Sequence, residues 1–159
     1  MFDVLPEVAV TIAGFAGLIV ILRRSNAGFS PLDQFALYFL LLTSLGAALL
    51  GLLPSVINLY VAPNVAPTIL CAISGVFLLV LAVWRSIHIY KFRAYPRSIW
   101  LRRTLGFLQW LLVVALFLAV AGVLPPDALF ATSLWWLVFV AVVQFFIQVV
   151  ATVRASDDA

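Results

Sequence analysis

Ser133, Gln144, Gln148 and Thr152 lie in one long apolar stretch near the C-terminus. The last three step by four, and Ser133 precedes Gln144 by three helical turns, so all four fall on one side of a helix. Such a stripe of uncharged polar groups has two uses in a membrane. Facing water at the axis of a ring of subunits, its amides and hydroxyls would form the collars of a small-solute pore. Facing other helices, they would form interhelical hydrogen bonds, the commoner role of Gln, Ser and Thr in such settings. The second reading is preferred here, with the pore as its alternative.

Other reactive side chains are sparse. His88 is the only histidine and sits between Arg85 and Lys91, without a carboxylate nearby in sequence. Cys71, the only cysteine, is several turns away toward the other end of the same stretch. The pairings that acid–base or nucleophilic catalysis requires are therefore missing, and the chain reads as a non-enzyme. One cysteine supplies neither a disulfide framework nor a metal cluster. Met1 is the sole methionine, so no Met-lined metal path is expected either. Neither a metal nor a cofactor is expected on these grounds.

The elements that would position these residues follow from composition. The 159 residues are 66% hydrophobic and 9% charged, with mean hydropathy +1.23. Soluble domains carry about 25% charged residues, so lipid and not water is the expected surroundings. Five apolar stretches imply an all-α, polytopic transmembrane helix bundle forming a single integral membrane domain over 1–159. The expected spans are about 6–22, 32–61, 67–90, 104–123 and 128–153. Four spans with an interfacial or re-entrant first segment is the alternative, because span one measures only roughly 25 Å against a hydrocarbon core of about 30 Å. The first stretch opens with Asp3 and Glu7 and is followed by Arg23 and Arg24, the reverse of a signal peptide's charge order. It reads as a retained helix.

Punctuation supports these spans. Pro6 suits a first helical turn, and Ser30, Pro31 and Asp33 form an N-cap, N1 and N3 set resembling a capping box. Pro54 removes a hydrogen bond to Leu50 inside the long second span, where a bend is expected. Pro67 opens span three, and Pro125-Pro126-Asp127 turns the chain before span five.

All nine Lys and Arg residues fall on one side of the membrane defined by five spans. Basic residues concentrate on the cytoplasmic side, so the expected topology is an inner (plasma) membrane protein, N-terminus outside and C-terminus cytoplasmic. Arg23, Arg24, Lys91, Arg93, Arg97, Arg102 and Arg103 are the candidate contacts to anionic lipid head groups, at roughly 1 kcal/mol each near a charged leaflet. Confinement of the charges to loops argues against nucleic-acid binding. By this reading no ionisable group is left within the apolar interior.

Small residues recur every fourth position: Ala9, Ala13 and Gly17 in span one, Ala47 and Gly51 in span two, Cys71 and Gly75 in span three, Ala115 and Ala119 in span four. Such faces let backbones approach closely. Most are expected to be internal, with span one the candidate for contact with another subunit. Odd span number and absence of a repeat count against repeat-built secondary transporters. The expected function is a structural or accessory membrane subunit, self-associating or held in a larger complex; an oligomeric pore is the alternative.

Overall fold

In the computed structural model, residues 7–14, 31–91 and 99–157 are described, together with the side chains of most of them. Every element among these residues is helical: a short N-terminal helix α1 (7–14), α2 (Pro31–Tyr60), α3 (Ala66–Lys91), α4 (Ile99–Val120) and α5 (Pro126–Asp157). Four helices are long and apolar enough to cross a membrane: Gln34–Tyr60, Ala66–Ile87, Arg103–Val120 and Pro126–Val150. The shortest of these windows, 18 residues, rises about 27 Å as an α-helix, close to the thickness of a hydrocarbon core. Among the described residues the protein is thus an all-α membrane protein, with four span-length helices and a short helix before them. The rest of the expected first span, 15–22, lies outside the described residues, as do Gly17, Arg23 and Arg24.

Helix boundaries follow local chemistry. α2 continues through Pro54 as one helix. The turn after it is closed by Val65 and Ala66 N–H groups donating to the Ala62 carbonyl at 2.9 and 3.1 Å. Ala66 and Pro67 then begin α3, where proline's missing N–H costs no helical bond. α4 starts at Ile99, five residues before the expected span, because a basic interfacial turn of helix joins the apolar one. It stops at Val120, three residues before the expected Val123, for a reason legible in the backbone. Gly122 has φ 79°, its N–H donates to the Ala119 carbonyl at 3.0 Å, and Val123 N–H donates to the Leu118 carbonyl at 3.0 Å. That is a Schellman stop, with glycine supplying the left-handed residue at no steric cost. α5 opens at Pro126 with Asp127 in its first turn, where a negative charge complements the helix dipole.

The chain divides into two compact units, one of Met1–Leu52 with Leu134–Ala159 and the other of Leu53–Ser133. In the first, Leu40 of α2 and Ala141 of α5 are fully buried, with Ile12 of α1, Leu37, Leu41 and Phe145 packed against them. A small residue opposite a leucine lets two helices close without a void. In the second unit, α3 and α4 pack along their lengths. Leu78, Leu81, Leu105, Leu112 and Leu116 are buried there. A methyl group placed on Gly75 would lie 3.5 Å from Leu116 Cβ, ordinary contact distance, so this glycine marks close approach of the pair. Val76, Val80, Val83 and Ile87 on α3, and Phe107, Leu111, Val114 and Leu118 on α4, are exposed. Their three- and four-residue spacing makes two apolar stripes suited to lipid.

Candidate functional site

Each element holds its polar residues differently, and the expected α5 stripe is the place to begin. Ser133, in the Leu53–Ser133 unit, is fully buried, and its hydroxyl donates to the Phe130 carbonyl of its own helix at 2.6 Å. Gln148, in the other unit, is 4% exposed. Gln144 is half-buried. Thr152 lies in α5, but its side chain is outside the described ones. Two members of the stripe are thus enclosed by the chain itself, and Ser133 is bonded back to its own turn.

The cross-helix polar contacts lie elsewhere. Gln109 of α4 is 2% exposed and its Nε2 donates to the Leu78 carbonyl of α3 at 3.2 Å. Cys71 Sγ donates to the Pro126 carbonyl at 3.0 Å, joining α3 to the first residue of α5 within the same unit. Pro126 begins a helix, so its carbonyl also serves the first turn; the thiol adds a second, weak donor. Both contacts were missed in the sequence. Gln109 carried a usable signal, being an isolated amide in a span otherwise free of carboxamides. Cys71 carried none, because a buried cysteine is normally just a small apolar residue.

Arg85 corrects the expectation that all basic residues sit at the surface. It lies inside the apolar window Ala66–Ile87 and is only 5% exposed. Its neighbours one turn back, Leu81 and Ala82, are buried core residues, so residue 85 falls on the packed face of α3. That phase was readable from periodicity; proximity to Lys91 and Arg93 in sequence obscured it. Of the candidate head-group contacts, Arg103 is exposed at the start of α4's window. Lys91 ends α3 and Arg102 lies in α4, without described side chains; Arg93 and Arg97 lie outside the described residues.

The small-residue positions separate by burial. Ala9 is fully buried and Ala13 half-buried, so α1 already spends part of its stripe within the chain. Ala47 and Ala119 are buried, Gly75 meets Leu116 and Phe117, and Gly14 faces open space. His88 belongs to α3, but its side chain is outside the described ones. Among the described residues, no three His, Cys, Asp or Glu side chains gather as a metal site would require. No protein-family model, curated protein or solved structure matches the chain.

Proposed function

We propose that this protein is a non-enzymatic structural or accessory subunit of the inner membrane, self-associating or attached to a larger membrane complex. Its N-terminus would lie outside and its C-terminus in the cytoplasm, with the basic segments against anionic lipid. The observation that carries this reading is the burial of Ser133 and Gln148, 0% and 4% exposed, within the chain. A side chain lining an axis between subunits must be open on each subunit's own surface. These are not, which supports helix–helix packing over a pore wall.

Replacing Gln144 and Gln148 together with Leu tests the choice. As packing residues within the chain they should lower its SDS unfolding midpoint in mixed micelles and change no ion or solute flux in reconstituted vesicles. Loss of a conductance with the assembly intact would make the pore reading correct instead. The mass and subunit composition of the purified complex then separate a homo-oligomer from an accessory subunit. A monodisperse single chain with no companion would sink both forms of the proposal.

A further inference from the structure

α2 opens to its surroundings along a single line. From Tyr38 to Leu52 only Tyr38, Leu42, Leu45, Leu49 and Leu52 are exposed, between 41 and 67% each, and every residue between them is buried or half-buried. The steps are four, three, four and three, and no two exposed residues are adjacent. The open face is therefore one side chain wide. α4 differs: Phe107 and Leu108, Trp110 and Leu111, Phe117 and Leu118 are exposed as neighbouring pairs, a broad band of the kind lipid wets. A strip confined to a 3.5-residue repeat is instead the seam of a coiled coil, where one helix meets another. Against the 3.6-residue helix it drifts by only about 40° over two heptads, which a slight left-handed supercoil removes. The seam rises roughly 21 Å, most of a hydrocarbon core of about 30 Å.

The partner that fits is a second copy of this chain, on three grounds. Residues 34–60 contain no Asp, Glu, Lys or Arg, so like charges do not oppose self-association. The same basic residues orient every copy, so two copies enter the membrane the same way round. Their α2 helices then meet in parallel about a two-fold axis, each seam residue at the depth of its own counterpart. Area is the third ground. From their exposed fractions the five side chains present about 500 Å², so two copies would cover about 1,000 Å², the level a specific interface must reach. α3 also has a single-file stripe, from Ile73 to Ile87, but its smaller side chains would give only about 800 Å² for two copies, the upper limit of incidental contacts.

We propose that the Tyr38–Leu52 seam of α2 is the contact through which two copies of this chain form a parallel dimer in the membrane. Such a dimer presupposes the self-associating form of the proposed function and names the face that carries it. Lipid is as apolar as leucine, so the contact gains from close packing and not from leaving water. In the full chain, Leu45 and Leu49 would each be replaced with Cys, and membranes holding each variant oxidised with copper phenanthroline. The wild-type chain, whose one cysteine, Cys71, is buried, supplies the background. Only residues whose Cα atoms come within about 7 Å can be joined. Leu45→Cys and Leu49→Cys should give dimer bands roughly fivefold or more above those of Val80→Cys on α3 and Leu111→Cys on α4, which are also exposed. Leu45→Ala/Leu49→Ala should raise the dimer dissociation constant in lipid about tenfold, read by energy transfer between labelled chains, and Val76→Ala/Val80→Ala less than about twofold. Leu42→Cys and Leu52→Cys decide where a central variant does not insert.

Absence of a dimer band from every α2 position overturns the proposal, as does an unchanged dissociation constant in Leu45→Ala/Leu49→Ala. Equal bands from Val80→Cys and Leu111→Cys overturn it too, since they would mean random collision. A dimer joined only through Val80→Cys overturns the α2 contact while self-association stands. An α2 position joined instead to a different polypeptide overturns the second copy as occupant and leaves the accessory-subunit reading in force. A chain that is monomeric and without companions refutes that reading together with the dimer.

Discussion

Thr43 and Ser44 in one unit and Gln109 and Cys71 in the other make contrasting bonds. In the Met1–Leu52/Leu134–Ala159 unit, Thr43 and Ser44 are buried and turn back on their own helix. Thr43 Oγ1 donates to Phe39 and Leu40 carbonyls at 2.9 and 3.0 Å, and Ser44 Oγ to the Leu40 carbonyl at 2.6 Å. In the Leu53–Ser133 unit, Gln109 and Cys71 reach across to other helices. Side-chain reach explains much of the difference. A hydroxyl one bond from Cβ is within range of the carbonyl one turn back, and Ser86 and Ser133 do the same in the second unit. The longer amide of Gln109 can leave its helix. A hydroxyl bonded to its own turn is neutral about which helix lies beside it, whereas an amide bonded across records a register. The bonds of Thr43 and Ser44 thus leave the choice of neighbour to packing, as at Leu40 and Ala141, whereas those of Gln109 and Cys71 tie one helix to another.

The largest expected effect tests the packing half of that contrast. Leu40→Ala removes a fully buried side chain packed opposite Ala141 and leaves two small residues facing each other. Leucine-to-alanine changes in soluble cores cost about 2–5 kcal/mol, part transfer and part cavity. Where the unfolded reference is itself in lipid the transfer part is small, so about 2 kcal/mol is expected, read as a shift in the SDS unfolding midpoint in mixed micelles. A loss of only a few tenths would mean that packing at Leu40 and Ala141 does not align these helices.

Gln109→Leu tests the other half and should cost less. It removes the donor to the Leu78 carbonyl while keeping an apolar side chain of similar length. That carbonyl is within α3 and keeps its place in the helical ladder, so it is not left without a donor. Interhelical hydrogen bonds in membrane proteins average about 0.6 kcal/mol and reach at most about 1.7. The same SDS titration should place Gln109→Leu in that range and below Leu40→Ala. A cost above that of Leu40→Ala would reverse the ranking of shape and polar ties.

Much of the fold was legible because it depends on long-range averages. Spans two to five were readable from apolar length, and Pro67 and Pro125-Pro126 marked helix starts close to those observed. Gly122 was missed because its role depends on φ and not on composition; one glycine amid Ala121 and Val123 gives little warning of a Schellman stop. The candidate polar residues were less legible, for a physical reason. The four-residue step on α5 says that residues share a side but not what covers that side. Periodicity of Leu81, Ala82 and Arg85 could have placed the arginine on the packed face. The nearby loop charges gave a simpler account of it as a surface residue, and burial overruled that account.

The smallest expected effect is the one that best isolates why hydroxyls and amides differ. Thr43→Val keeps the shape and the branching at Cβ while deleting a donor whose bonds return to its own helix. Phe39 and Leu40 carbonyls are already ladder acceptors within α2, so the change leaves no acceptor stripped of its backbone partner. Bonds of this kind do not choose a neighbour and slightly distort the helix that carries them. Thr43→Val should therefore alter the SDS midpoint by no more than about 0.5 kcal/mol, in either direction. If it instead cost as much as Gln109→Leu, the hydroxyl would have to act between helices, and side-chain reach would no longer account for how these bonds differ.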